Sequence, residues 1–127
     1  MLSNTDAAVT IAVRDIDVAK KFYEGTLGLQ PSKDQEEGTL AYESPKSMIF
    51  VYPSQYAGTN QATAVTWIVD DVEGTVRELK EKGVSFEHYP DLPDTKIVGD
   101  IHVSGGRKLA WFKDPDGNIH ALAGGGR

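Results

Sequence analysis

Val9-Thr10-Ile11-Ala12-Val13-Arg14-Asp15-Ile16 is echoed further along the chain by Val65-Thr66-Trp67-Ile68-Val69-Asp70-Asp71-Val72. Each stretch is an apolar run that ends in an acidic residue. Each leads into a segment with helical apolar spacing, and each segment closes at a glycine, Gly28 or Gly83. Further on, Glu43-Ser44-Pro45-Lys46-Ser47 occupies the place that Lys113-Asp114-Pro115-Asp116-Gly117 takes in the second half. Both are turn sequences, with proline suited to a type I or II turn. Apolar segments flank each turn: Leu40–Tyr42 and Met48–Tyr52 in one half, Leu109–Phe112 and Ile119–Leu122 in the other. The order strand, helix, strand, strand, strand therefore occurs twice. The predicted fold class is α+β, with two tandem βαβββ modules at about 1–55 and 62–123 in one domain spanning 1–127. The polar segment Ser54–Gln61 joins them.

Local chemistry supports the helices. Asp15 and Asp71 are suited to accept backbone N–H bonds at helix starts. Asp17 and Glu73 then fall in first turns, where the helix dipole favours negative charge. Ile16, Ala19 and Tyr23 form one apolar face, and Val72, Val76 and Leu79 form the other. Glu73/Arg77, Arg77/Glu81 and Glu78/Lys82 are charge pairs on a solvated side.

Bulk properties remove several function classes. With 13 basic and 19 acidic residues the formal net charge is −6, and no basic run offers a phosphate-binding surface, so no nucleic-acid partner is expected. No apolar stretch reaches bilayer length, so no membrane association is expected. The start, Met1-Leu2-Ser3-Asn4-Thr5-Asp6, has no signal-peptide pattern, and the expected location is cytoplasmic. The absence of cysteine excludes disulfides and thiolate sites. Pro90–Arg107 is expected to be a long irregular segment, a lid over a ligand or a plain surface loop, hinged at Gly105-Gly106. The tail Gly124-Gly125-Gly126-Arg127 is expected to be disordered.

These residues resemble the vicinal-oxygen-chelate superfamily, also called the glyoxalase/bleomycin-resistance/dioxygenase family. The likeness is carried by Val13-Arg14-Asp15-Ile16 running into Lys21-Phe22-Tyr23 and Leu27-Gly28-Leu29, then by Val69-Asp70-Asp71-Val72, and most specifically by Phe112-Lys113-Asp114-Pro115-Asp116-Gly117-Asn118. The resemblance implies two modules closing a cupped mixed β-sheet, with helices outside and a ligand or metal inside. It places the family's four metal positions at Ala8, Val51, Ala64 and Ala121. Alanine and valine offer no lone pair to a metal. A slip of one residue brings Phe50 or Tyr52 to the fourth-strand position, or His120 to the last. No cofactor is expected. The metal-dependent chemistries of the family are thereby placed in doubt.

Strand alternation sorts the remaining candidates. If Ala8 faces the cup, so do Thr10, Thr66, Ile68, Leu109, Trp111 and Ile119, while Trp67 and Phe112 belong to the core. Trp111 either stacks on a flat ligand or serves packing alone. His102, in the expected lid, reaches a ligand or is a loop residue. Gly105-Gly106-Arg107 either holds an anion, with Arg107 as a ligand contact, or is a hinge. His88 is expected to be exposed, and His120 to be a satisfied core histidine. Two functions follow. One is a metal-free protein that binds a small apolar or aromatic molecule, as bleomycin-resistance proteins do. The other is an enzyme, a lyase, isomerase or dioxygenase with ligands placed elsewhere or a metal-free acid–base catalyst using His102 or Glu43. The resemblance also implies a homodimer.

Overall fold

The computed structural model describes residues 1–33 and 35–125. The chain divides into two units, Met1–Thr59 with Pro115–Asn118, and Asn60–Asp114 with the chain from Ile119.

In the first unit β1 (Val9–Val13) leads into α1 (Ile16–Lys20), which continues as a π-helical turn over Lys21–Thr26. Three strands follow: β2 (Gln30–Pro31), β3 (Leu40–Ser44) and β4 (Ser47–Pro53). Asp15 starts the helix by accepting the backbone N–H groups of Asp17 and Val18, which no helical carbonyl can satisfy. The strand order is β1-β4-β3-β2, with β1 parallel to β4 and the other neighbours antiparallel. The registers put Ile11, Val13, Leu40, Tyr42, Ile49 and Val51 on one face, and all six are buried. Each such side chain contributes about 1.5–3 kcal/mol on leaving water. Tyr23, from the π-helical turn, stacks on Tyr42 at 6.4 Å between ring centroids. The Tyr42 hydroxyl donates to Glu24 Oε2 at 2.9 Å. Burial, first, and the neighbouring carboxylate, second, raise the pKa of that hydroxyl.

The second unit repeats the plan. It contains β5 (Thr63–Ile68), α2 (Val72–Glu81), β6 (Phe86–Glu87), β7 (Lys96–Val98), β8 (Ile101–Ser104), β9 (Arg107–Lys113) and β10 (Ile119–Gly124). The order is β5-β10-β9-β8-β7, with β6 also paired to β9, and again the first strand lies parallel to the last. Asp71 caps α2 through the Gly74 N–H. Val72, Val76 and Leu79 are buried, as are Val65, Phe112 and Leu122 on one side of the sheet. An ion pair from Lys108 to Glu73 ties β9 to the helix.

Two expectations need correction. Pro90–Arg107 is irregular only at its start: residues 90–95 form turns and a bend, and from Lys96 the chain folds into the β7–β8 hairpin and runs straight into β9. Gly105-Gly106 is the two-residue turn between β8 and β9, and Gly105 has φ +61°. A tight turn of this kind fits the twist of the strands it joins and is no hinge. In the tail, Gly124 pairs with Lys108 as the end of β10, while Gly126 and Arg127 lie outside the described residues.

The turn after β9 is held within the first unit. Asp116 Oδ1 accepts the Arg14 backbone N–H at 3.2 Å, and Asn118 Nδ2 donates to the Ala12 carbonyl at 2.7 Å. Gly58, at φ +71°, passes so near that a Cβ would stand 1.8 Å from the Asp116 carbonyl oxygen. Gly28 has a similar φ of +73° but open space around it. Left-handed backbone alone costs a side chain about 1–2 kcal/mol. Gly28→Ala should therefore lose about that much stability, and Gly58→Ala about 3 kcal/mol or more, because backbone must also move. Urea unfolding of the two variants checks the difference.

Candidate functional site

Neighbours on a strand point to opposite faces. Phe112 is buried on the α2 side, so Trp111 stands on the other face of the second sheet. Register places Ala121 beside both Trp111 and Thr66, and Leu109 beside His102 and Ala123. Trp111, Leu109, Thr66, His102 and Ala121 thus share one face. Ile119 pairs with Lys113 and Thr63 on the same side, where the ladder shifts by one residue. Arg107 is exposed, opposite Ser104 at the β8–β9 turn. Thr10 belongs to the first unit, exposed beside Phe50. Glu43 is also exposed in the first unit.

Trp111 is half-buried and held on several sides. Its Nε1–H donates to Thr63 Oγ1 at 3.1 Å. The His102 ring lies 4.8 Å away at 88°, and the Tyr89 ring 5.2 Å away at 80°. Both are edge-to-face contacts of the kind aromatic quadrupoles favour. His102 is 0% exposed and sits in strand β8, which corrects its placement in a lid. Its Nε2 accepts the Tyr89 backbone N–H at 2.9 Å, so the neutral ring carries its proton on Nδ1. That Nδ1 is buried without a hydrogen-bond partner. Burial, then the nearby His88, lower the His102 pKa; the Leu109 backbone opposes them without reaching hydrogen-bond geometry. His102 is a neutral wall behind Trp111.

Beside it stands a charged cluster. His88 Nε2 lies 2.8 Å from Asp100 Oδ1, and Lys80 Nζ lies 2.6 Å from Asp100 Oδ2. These two hydrogen bonds, Lys80 first, lower the Asp100 pKa. The rings of His88 and His102 meet at 6.2 Å. Tyr89, Thr63, His88 and Asp100 did not emerge as a group from the sequence. Asp100 lay in the supposed irregular segment and Tyr89 just before it, and Thr63 shares its face only through the register shift.

The four metal positions also change. Thr10 pairs with Phe50, while Thr66 pairs with Ala121. The residue equivalent to Ala121 is therefore Phe50, and Val51 is a correction: it stands on the buried α1 face with Ile11. Ala8, Phe50, Ala64 and Ala121 supply no metal donor, so these side chains do not fit the superfamily's metal. His120 stands on the opposite face from Ala121, and its Nδ1 accepts the Trp67 Nε1–H at 3.0 Å. Among the described residues no group of three or more His, Asp or Glu side chains is placed to hold a metal ion. No helix among them is long and apolar enough to cross a membrane.

Two units, each opening as strand, helix, strand and each with its first strand parallel to its last, the second carrying two strands more than the first, define a glyoxalase-type fold. The profile of the Glyoxalase/Bleomycin resistance protein/Dioxygenase superfamily matches residues 7–122, and the chain belongs to that superfamily. Among solved structures it is similar to a glyoxalase family protein from Enterococcus faecalis, at 18% identity and TM-score 0.71, covering 97% of this chain and 99% of that one. A superfamily member from Sphaerobacter thermophilus gives 21% identity and TM-score 0.68 over 98% and 99%. Lactoylglutathione lyase from Agrobacterium tumefaciens gives 16% and 0.69 over 96% and 94%. These likenesses show a shared fold. No curated protein matches the chain.

His120 yields a pH test. It is buried in a stack between Phe112, at 5.0 Å, and Trp67, at 6.1 Å. Burial pushes its pKa down to about 4, against a weaker opposing pull from Asp114. As pH falls below the ordinary histidine value of about 6.5, the unfolded chain takes the proton first. Its contribution to stability is whole above that pH and is lost on the way down to about 4, a change of about 3 kcal/mol. His120→Phe should be less stable at pH 7, because the Trp67 N–H loses its acceptor, but should show a shallower loss across that window. Denaturant unfolding at a series of pH values measures both slopes.

Proposed function

We propose that the protein binds a small, largely apolar or aromatic molecule without a metal, on the face of the second sheet that carries Trp111. It acts as a carrier or sequestering protein in the manner of the bleomycin-resistance members of its superfamily, in the cytoplasm. One observation carries this reading: β9 of the second unit presents an indole fixed by Thr63, Tyr89 and His102, and the positions that the resemblance assigns to the superfamily's metal bear Ala8, Phe50, Ala64 and Ala121. Without a Lewis acid, affinity must come from apolar contact and stacking. Ile68, 82% exposed at the end of β5, and half-buried Leu109 extend the apolar surface.

Elemental analysis of mildly purified protein should find no stoichiometric metal; about one Ni, Zn, Fe or Mn per chain would overturn the reading. A planar aromatic ligand should quench Trp111 emission in a saturable way. Trp111→Ala should weaken its binding by about 1–3 kcal/mol, the scale of a lost aromatic contact.

We also propose a homodimer. Each sheet ends on edge strands within its unit, β1 and β2 in one and β5 and β7 in the other. Unpaired strand edges call for cover, and two-fold pairing is the commonest way a chain covers its own surface. Light scattering at micromolar concentration should give twice the 13.8 kDa chain mass, and a monomer would refute it.

A further inference from the structure

We propose that the ligand held against Trp111 is a planar molecule carrying a positive charge, and that Glu87 is the residue that binds the charge. The inference rests on the binding reading above and gives that ligand a chemical class.

The register puts a carboxylate beside the indole. In β6, Glu87 is the direct partner of Trp111 on β9. Partners across an antiparallel pair stand on one face, with Cβ atoms about 5 Å apart. Tyr89, two residues on from Glu87, reaches the same face, where its ring meets the indole at 5.2 Å. The charge of Glu87 is felt there: burial, first, and the Glu87 carboxylate, second, raise the Tyr89 pKa. A carboxylate and two electron-rich rings therefore converge on one patch. The faces of such rings attract cations and oppose anions. A flat cation stacked on the indole gains that attraction and the ion pair together.

Two cations of the chain share this face. Lys113 lies two residues beyond Trp111 on β9, and its Nζ stands 3.7 Å from Glu87 Oε1. That is too long for a hydrogen bond. With 47% of the lysine side chain and 35% of the glutamate side chain exposed, such a pair holds weakly. The ammonium ends a flexible four-carbon stem and can turn into water, whereas Glu87 is fixed in a paired strand. Arg107 stands at the far end of β9, four residues from Trp111, about 13 Å along the strand. A ligand cation therefore replaces Lys113 at Glu87 and leaves no buried charge behind. The net charge of −6 adds a long-range attraction of the same sign.

Probes of one shape and three charges test this: cationic 1-methylquinolinium, neutral 1-methylnaphthalene and anionic 1-naphthoate, each measured by equilibrium dialysis. Wild-type protein should bind methylquinolinium about 10-fold more tightly than methylnaphthalene, and naphthoate most weakly. The preference should shrink as salt is raised. Glu87→Gln should erase it. The ratio of the two affinities is the readout, because a disturbed platform would weaken both probes alike, and circular dichroism checks that the variant folds. Lys113→Gln should sharpen the preference by releasing Glu87. Trp111→Ala should weaken both probes. Equal wild-type affinities for cation and neutral probe, tighter binding of naphthoate, or a preference that survives Glu87→Gln overturns the charge assignment; if binding is still lost in Trp111→Ala, the binding reading stands. No saturable binding of any probe, or binding indifferent to Trp111→Ala, overturns both.

Discussion

The parallel pairing of each unit's first strand with its last fixes the side on which every residue of the sheet stands. In the first unit that ladder sets Ile11 beside Val51 and Thr10 beside Phe50; in the second it sets Thr66 beside Ala121 and Trp67 beside Leu122. A slip of one residue would send Trp111 to the helix and Phe112 to the open face. The helices hold the register through the buried face that meets them. Ile49 and Val51 serve α1, and Phe112 and Leu122 lie on the α2 side. The open face is what remains, and its composition follows from that choice.

The repeat was legible because its signals are local and redundant. Apolar runs, an aspartate at each helix start and a turn before each last strand all agree. The register of β4 was not legible, for a physical reason. In the first unit β3 and β4 are joined by Pro45-Lys46 between the paired residues Ser44 and Ser47, whereas β9 and β10 are joined by a longer turn between Lys113 and Ile119. Aligning the two halves at their prolines therefore carries the equivalence one residue too far, to Val51 in place of Phe50. The β7–β8 hairpin was obscured differently. Its strands are short and half polar, and Pro90 and Pro93 precede them. Yet Gly99-Asp100 and Gly105-Gly106 are both two-residue hairpin turns, and that spacing was readable.

The three histidines show how one side chain takes three characters from its surroundings. His120 lies on the helix side between two aromatic rings, accepts one N–H and is driven toward neutrality by burial. His102 lies on the open side but beneath Trp111 and Tyr89, equally buried, with one nitrogen satisfied and the other not. His88 alone keeps contact with water and with a carboxylate. Residue type therefore said little about role, and the decisive variable was which face and which depth the strand register assigned.

A surface without metal donors must obtain much of its selectivity from shape, and shape is useful only if it is held still. Trp111 meets that condition. It stands on the interior of a seven-residue strand paired on both sides, its N–H is committed to Thr63, and two rings meet it nearly at right angles. An indole so constrained has little side-chain entropy left to lose in any contact, whereas a free side chain loses about 0.5–1.5 kcal/mol on being immobilised. The same argument explains why the platform is built on β9 rather than on a loop. Hydrogen-bonded neighbours fix the backbone, the ladder fixes the face, and edge-to-face contacts fix the ring. The same register puts Ala121, itself buried, beside the large Trp111, so the neighbouring strand adds little bulk against the indole.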